Sequence, residues 1–142
     1  MLIVTVLRAK GDSVVTVPPS ATVRELLDVL AEHRIGAVVV SSGAGIAGIV
    51  SERDVVRHLR DGAELLDQPI ARIMTTEVVT CRRDTPVDAL MTTMTERRIR
   101  HVPVVDERGA IVGIVSIGDL VKSRISELES ERDDLVGYIG TR

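Results

Sequence analysis

The stretch Gly48-Ile49-Val50-Ser51-Glu52-Arg53-Asp54 returns later in the chain as Gly113-Ile114-Val115-Ser116-Ile117-Gly118-Asp119. Each copy ends an apolar run and places a serine three residues before an aspartate. Ser and Asp are favoured at helix N-termini, because their oxygens accept hydrogen bonds from unpaired backbone N–H groups. We therefore interpret each copy as the end of a strand, a tight corner and the start of a helix.

A corner of this kind can cap a helix or bind a ligand. The free amides and the positive partial charge of a helix N-terminus suit a phosphate group. The aspartate could then accept hydrogen bonds from sugar hydroxyls. Capping alone is the better explanation of a single copy, but two copies in matching positions favour a paired ligand site.

The composition limits the class of protein. The chain has 142 residues, of which 44% are hydrophobic, enough for one compact domain or two very small ones. It has one Tyr and neither Phe nor Trp, so a bound base would have to lie between aliphatic side chains. The net charge is −3, and there is no basic stripe interleaved with aromatic residues, so nucleic acid is not an expected partner.

Cysteine and histidine are too sparse for a metal site or a disulfide. The single cysteine, Cys81, lies in an apolar segment, where a small buried residue is a better interpretation than a redox thiol. The three histidines are scattered, so no metal is expected. The apolar residues 2–7 are too few to cross a bilayer and lack the charged start of a signal peptide. The sequence predicts a cytoplasmic protein with no membrane partner.

The rest of the chain follows the same repeat. Residues 14–17 match residues 78–81 at an offset of 64, which becomes 65 at the two glycine corners. Hydrophobic spacing predicts the order β-α-β-β-α in each copy. The first copy should have a strand at 14–17, a helix at 22–33 closed by Gly36, a hairpin of 37–40 and 46–50, and a helix from Asp54 that buries Val55, Val56 and Leu59. The second should have elements at 78–81, 85–97, 101–105, 111–115 and 119–125.

Three segments flank these elements. Residues 2–7 alone suggest a strand, but the corresponding lead-in at 69–74 favours a short helical turn over residues 3–9. The tail has an apolar stripe opposite acidic residues, which predicts a helix that covers a neighbouring core or a second subunit. One unit of this size buries little core alone, so the two should pack face to face. The expected limits are 3–60 and 70–125 for the two units, 61–69 for the linker and 126–142 for the terminal helix.

Two β-α-β-β-α units that each carry glycine, two apolar residues, serine and a later aspartate resemble a tandem pair of cystathionine-β-synthase (CBS) domains, a Bateman module. The resemblance covers residues 3–125. It implies an α/β (α+β) fold of two pseudo-symmetric repeats with an added C-terminal helix. It also implies a regulatory module, sensing energy or redox state, that binds an adenosine ligand such as AMP, ADP, ATP, NAD or S-adenosylmethionine.

The resemblance implies roles for individual residues. Asp54 and Asp119 would bind ribose hydroxyls. The residues implied for phosphate are Ser51, Arg53, Arg100, His101, Ser116 and Lys122. Those implied for the adenine pocket are Ser13 and Val15 at the Asp119 ligand, Glu77 and Val79 at the Asp54 ligand, and Gly36 and Ala37. Repeat one has Gly36 and Ala37 where repeat two has Arg100 and His101, so the two sites should differ. Arg57 and Arg97 are interpreted as solvated surface.

No catalytic residues are expected. The sequence has no nucleophile–base set, no G-x-G-x-x-G and no Walker motif. The leading interpretation is therefore a nucleotide-binding homodimer that acts on an unknown regulated protein. The alternative is a structural dimerisation module with empty clefts, and an enzyme acting on a nucleotide is the least favoured interpretation.

Overall fold

Helices and strands follow the order that the repeat predicts, except that the first strand of repeat two is reduced to a single bridge. The computed structural model describes residues 1–43 and 45–140. Its helices are α1 (Ile3–Lys10), α2 (Val23–His33), α3 (Glu52–Leu59), α4 (Val87–Arg97) and α5 (Ile117–Gly140). Its strands are β1 (Thr16–Val17), β2 (Ala37–Ser41), β3 (Ile46–Ser51), β4 (His101–Val105) and β5 (Ile111–Ser116). Short 3₁₀ helices at Ala63–Asp67 and Ile70–Arg72 join the repeats.

Helices α2 and α4 end in the same unusual way. Arg34 and Arg98 lie in the left-handed region, with φ of 54° and 55°, and their N–H groups close onto the preceding turn. A non-glycine residue in this region stores backbone strain of about 1–2 kcal/mol. The prediction that Gly36 closes the first helix is wrong, because Arg34 ends it two residues earlier. The start of α4 also moves, to Val87, because Pro86 occupies the cap position.

Two hairpins form the sheets. Strand β2 is antiparallel to β3, and β4 is antiparallel to β5, as predicted. The predicted strand at 14–17 shrinks to Thr16–Val17, which pairs in parallel with β2. The predicted strand at 78–81 is reduced to one bridge between Cys81 and Val104. The chain before it is already paired elsewhere, since Thr75 exchanges backbone hydrogen bonds with Ile49 of repeat one.

Each lead-in segment packs on the other repeat. Helix α1 buries Ile3, Val6 and Leu7 in the core of repeat two. The segment around the second 3₁₀ helix buries Ile70 and Ile73 in the core of repeat one. The helical turn expected near residues 3–9 is present as α1, and the core of each unit includes chain from outside its own stretch of sequence.

Matching hydrogen bonds hold these exchanged segments. The N–H of Val23 donates to Gln68 O at 3.0 Å, and the N–H of Val87 donates to Met1 O at 3.0 Å. The two donors begin equivalent helices, α2 and α4, and the two acceptors precede the two lead-ins. The molecule is therefore pseudo-symmetric, and the core of each repeat is completed by the lead-in segment of the other.

Two predicted helix faces differ from those observed. On α3, Val55 is buried, whereas Val56 is 68% exposed and Leu59 is 44% exposed. The prediction that Val56 and Leu59 are buried is therefore wrong, because α3 turns only the face of Val55 fully into the core. The last predicted helix and the tail are one continuous helix, α5, because neither Pro nor a left-handed residue interrupts the chain between them.

Helix α5 leaves an apolar stripe uncovered. Ile125, Leu128, Leu135, Val136 and Ile139 are between 48% and 70% exposed. Within the described residues no helix combines the length and the apolar character needed to cross a bilayer.

Candidate functional site

The corner of repeat one is a capping box. The Ser51 hydroxyl accepts a hydrogen bond from the Asp54 N–H at 3.4 Å, and Asp54 Oδ2 accepts from the Ser51 N–H at 2.9 Å. Two unpaired amides of α3 are thereby satisfied reciprocally. The second carboxylate oxygen of Asp54, Oδ1, has no hydrogen bond or ion pair within the described part of the chain. Capping therefore uses half of this carboxylate and leaves the other half for another donor.

This corner opens onto a cleft between the two repeats. Nine of the residues singled out from the sequence line it together, and they come from both repeats and from the segment that joins them. They are Gly36, Ala37, Ser51, Arg53, Asp54, Glu77, Val79, Arg100 and His101. The enclosed part of the cleft measures about 140 Å³, and the rest is open to solvent.

Four arginines give the cleft its positive charge. Arg53 and Arg57 come from α3, whereas Arg98 and Arg100 come from the turn that follows α4. The Arg53 guanidinium donates to the Arg98 carbonyl at 3.4 Å and so crosses from one repeat to the other. The acidic residues on the lining are Asp54, Glu52 and Glu77.

Two of these arginines have no phosphate role in the sequence analysis. Arg57 was interpreted as solvated surface, and it is exposed where it lines the cleft. Arg98 was not assigned to phosphate, although its left-handed conformation turns the chain into the cleft. A signal was available, since Arg34 and Arg98 are equivalent in the repeat and an arginine is an uncommon residue at a left-handed helix end.

His101 lies between the two repeats, beside the backbone of Gly36. A Cβ added to Gly36 would stand 3.5 Å from His101 Cε1 and 3.6 Å from Nε2. Burial lowers the pKa of His101, and the positive charges of Arg100 and Lys10 lower it further, against the opposing effect of Asp119 and Glu52. His101 is therefore neutral at pH 7 in the ligand-free protein, and a phosphate would have to raise its pKa to bind the charged form.

The corner of repeat two has the same capping box with one addition. Asp119 Oδ2 accepts from the Ser116 N–H at 2.8 Å, and the Ser116 hydroxyl accepts from the Asp119 N–H at 3.1 Å. Lys10 Nζ, at the end of α1, also donates to Asp119 Oδ2 at 2.6 Å and to the Ile114 carbonyl at 2.7 Å. Neither the repeat nor the resemblance predicts a lysine at this position.

The ion pair changes the chemistry of Asp119. Burial would raise the pKa of this carboxyl, but the hydrogen bonds from Lys10 and Ser116 and the positive charge of Lys10 outweigh it. The pKa of Asp119 is therefore below its ordinary value, and the carboxylate stays charged and paired at neutral pH.

Two of the predicted adenine residues, Glu77 and Val79, lie on the cleft of Asp54. The groove beside Asp119 runs between α1 and α5 and is lined by Lys10 and Lys122, but it contains neither Ser116 nor His101, so it is not the counterpart of that cleft. Val15 packs against the core of repeat one, and the adenine roles of Ser13 and Val15 stay predictions.

Cys81 is a core residue. It is buried among the apolar side chains of repeat two, and burial raises its pKa to about 11. The thiol therefore stays protonated and poorly nucleophilic at neutral pH. The described residues contain no cluster of His, Cys, Asp or Glu that could hold a metal ion.

Known proteins share both the sequence and this architecture. The chain is 36% identical over 124 residues to a mitochondrial CBS domain-containing protein of Arabidopsis thaliana, a match that covers 83% of this chain and 60% of that relative's length. A CBS-domain-containing protein of Agrobacterium tumefaciens superposes with a TM-score of 0.85 at 42% identity, covering 87% of this chain and 99% of its own.

Two further solved structures carry adenosine compounds. A CBS domain protein of Pyrobaculum aerophilum complexed with AMP superposes with a TM-score of 0.79 at 32% identity, covering 91% of this chain and 97% of its own. A CBS domain pair in complex with 5-methylthioadenosine and S-adenosyl-L-methionine superposes with a TM-score of 0.79 at 26% identity, covering 89% of this chain and 98% of its own.

The family model agrees with the repeat. The model of the CBS domain matches residues 11–61 and again residues 70–126. These two matches contain the two capping boxes, at Ser51 with Asp54 and at Ser116 with Asp119. The chain therefore belongs to the CBS domain family, of which it carries a tandem pair.

Proposed function

We propose that this CBS pair is a regulatory module that binds an adenine nucleotide, with AMP the best candidate, in the cleft of Asp54. The observation that carries the proposal is that one cleft contains both the unpaired Oδ1 of Asp54 and four arginine side chains. A carboxylate suits ribose hydroxyls, and guanidinium groups suit phosphate, so the pair matches the two polar ends of a nucleoside phosphate.

Each residue of the cleft has a place in this proposal. Asp54 would accept from the ribose hydroxyls through Oδ1. Ser51, Arg53, Arg100 and His101 would contact the phosphate, together with Arg98. The adenine would lie along Gly36, Ala37 and Val79, where backbone groups and aliphatic surface can accept a base without aromatic stacking.

The charge of the cleft favours AMP over S-adenosylmethionine. The latter has no phosphate and a net positive charge, so it could not use the arginines as a nucleoside phosphate does. The enclosed volume of about 140 Å³ is smaller than the roughly 300–1,000 Å³ of typical ligand pockets. A bound nucleotide would therefore keep its phosphates at the open mouth of the cleft, among the arginines.

We infer that the module is a homodimer whose contacts include α5. The apolar stripe of α5 continues as exposed Val121 near its start, and Val56 of α3 is also exposed. Symmetric dimers are the commonest soluble assemblies. Sedimentation should give twice the 15.4 kDa of one chain, and deletion from Ser126 onward should weaken the dimer. A monomer at micromolar concentration would contradict the inference.

A ligand-free dimerisation module is the second candidate. Lys10 already pairs with Asp119, and each serine–aspartate pair caps a helix. Both motifs therefore have a structural role without any ligand. In this case the protein regulated by the module would recognise its surface alone.

Isothermal titration with AMP separates the two candidates. Asp54→Asn keeps an oxygen for the Ser51 N–H but removes the charge, and Asp28→Asn makes the same change at an exposed position of α2. We expect Asp54→Asn to weaken binding about 10- to 100-fold, the value of a hydrogen bond to a charged group of about 1.5–3 kcal/mol. Asp28→Asn should bind as the unmodified chain does. No heat and no thermal shift with AMP, ATP, NAD or S-adenosylmethionine would favour the dimerisation module.

A further inference from the structure

We propose that Lys10 is an internal occupant of the cleft of repeat two, so that each chain binds one nucleotide and not two. The inference rests on the proposed function for the cleft of Asp54, and it concerns the other cleft. The Lys10 ammonium stands at the carboxylate that corresponds to Asp54, where a sugar hydroxyl would otherwise donate.

The contacts of Lys10 neutralise this corner. Its Nζ lies 2.6 Å from Asp119 Oδ2 and 2.7 Å from the Ile114 carbonyl oxygen. The first contact balances the charge of Asp119, and the second takes a backbone acceptor of strand β5. Asp119 Oδ1 has no partner among the described residues, so a nucleotide could still reach it, but it would meet a carboxylate whose charge Lys10 already balances.

Helix α1 holds the lysine in place. Ile3, Val6 and Leu7 of this helix are buried in the core of repeat two. The N–H of Gly11 donates to the Leu7 carbonyl at 2.7 Å and ends the helix directly after Lys10. Only the side chain of Lys10 can therefore swing away, since its backbone is fixed by the core.

The cleft of repeat one has no such occupant. Leu7 faces the backbone of Gly113, and Met74 faces the backbone of Gly48, so the two side chains are equivalent. Three residues further along, Lys10 follows Leu7, whereas Glu77 follows Met74. Glu77 cannot pair with Asp54, and no lysine or arginine of the described residues forms an ion pair with the Asp54 carboxylate.

Removal of the Lys10 ammonium would leave groups that suit a nucleotide at this corner. Asp119 would then be a carboxylate without its ion pair. Lys122 lies beside it in the groove between α1 and α5 and could meet a phosphate.

The number of AMP molecules bound per chain tests the inference. Titration of the full chain, with the protein concentration well above the dissociation constant, should give one equivalent of AMP. Lys10→Met should give two equivalents, and Lys10→Met with Asp119→Asn should return to one. Arg8→Met removes an exposed cation from the same helix and should leave one equivalent. Lys10→Gln, which keeps a polar end, replaces Lys10→Met if that variant fails to fold.

The outcomes separate this inference from the proposed function. Two equivalents on the unmodified chain, or one on both Lys10 variants, would overturn the role of Lys10 and leave nucleotide binding at Asp54 intact. No binding to the unmodified chain together with one equivalent on Lys10→Met would overturn the Asp54 proposal and support the role of Lys10. No binding to any variant would overturn both.

Discussion

Replacement of Gly48 by alanine tests why a glycine stands three residues before the capping serine in each repeat. A Cβ on Gly48 would lie 2.7 Å from the Thr75 carbonyl oxygen and 2.8 Å from the Met74 sulfur. The flexible thioether can move away. The Thr75 carbonyl cannot, because it accepts from the Ile49 N–H at 3.0 Å while the Thr75 N–H donates to Ile49 O at 2.8 Å.

Gly113 is the matched control in the other repeat. A Cβ there would also meet an atom at 2.7 Å, but that atom is Cδ2 of Leu7, the end of a side chain that can rotate. The two substitutions therefore make the same chemical change at equivalent positions. They differ in the group that must move to make room for the new Cβ, which is a backbone carbonyl at Gly48 and a leucine side chain at Gly113.

The expected loss of folding stability follows from this difference. Overpacking a core costs about 1–3 kcal/mol, and alanine in place of glycine in a strand returns about 0.5–1 kcal/mol. We expect Gly48→Ala to lower the free energy of unfolding by about 1–2 kcal/mol, and Gly113→Ala to lower it by less than about 1 kcal/mol. With a urea m-value of about 2 kcal/mol/M, the first change moves the midpoint by about 0.5–1 M.

Urea unfolding followed by circular dichroism measures both variants, and titration with AMP adds a second test. Thr75, Glu77, Val78 and Val79 line the cleft of Asp54, so displacement of Thr75 should also weaken AMP binding in Gly48→Ala and not in Gly113→Ala. A Gly48→Ala variant as stable as the unmodified chain would refute the reasoning. A larger loss in Gly113→Ala would refute it equally.

Three further predictions concern the left-handed helix ends, His101 and Cys81. Arg34→Gly and Arg98→Gly should each raise the free energy of unfolding by up to about 1 kcal/mol, because glycine relieves the left-handed strain. Only Arg98→Gly should also weaken AMP binding. If Arg98→Gly is more stable but binds AMP with unchanged affinity, Arg98 does not belong to the site. Because burial and Arg100 lower the pKa of His101 in the free protein and a phosphate would raise it, AMP should bind with proton uptake. Its affinity should fall between about pH 6 and about pH 8, as pH passes the raised, bound-state pKa of His101, and His101→Ala should abolish the fall; an equal fall in this variant would assign it to another group. Cys81, with a pKa of about 11, should react with a thiol reagent only as fast as the chain unfolds, and rapid reaction under native conditions would contradict its burial.

Local pattern was enough to predict the hairpins, helix α2 and the two corners. In each case the residues that decide the element are neighbours in sequence: Thr22 caps α2 through the N–H of Glu25, and Ser51 caps α3 through the N–H of Asp54. The helical conformation of residues 3–10 was also predictable, but only from the repeat. Strand propensity alone favours the opposite, and burial of Ile3 against repeat two decides the outcome.

Features that depend on the packing of one repeat against the other were not predictable. The predicted strand at 78–81 is reduced to the bridge of Cys81 with Val104, and the chain just before it, at Thr75, pairs with Ile49 of repeat one. The position of Lys10 depends on the exchange of α1 onto repeat two, since an offset of 64 places Ser13, and not Lys10, opposite the residue Glu77. The repeat predicts equivalent residues well where its offset is constant, and fails at the lead-in, where repeat one is three residues longer.

His101 and Arg100 lie where the cleft of repeat one meets the start of α5. The Arg100 carbonyl accepts from the N–H of Ile117, the first residue of α5, at 2.8 Å. His101 is paired in the sheet with Ser116, the residue that caps this helix. A ligand held at Asp54 would therefore touch a strand whose backbone fixes the first turn of α5. Because α5 carries the longest exposed apolar stripe of the described chain, a partner that docks there would be placed to detect a ligand without contacting it.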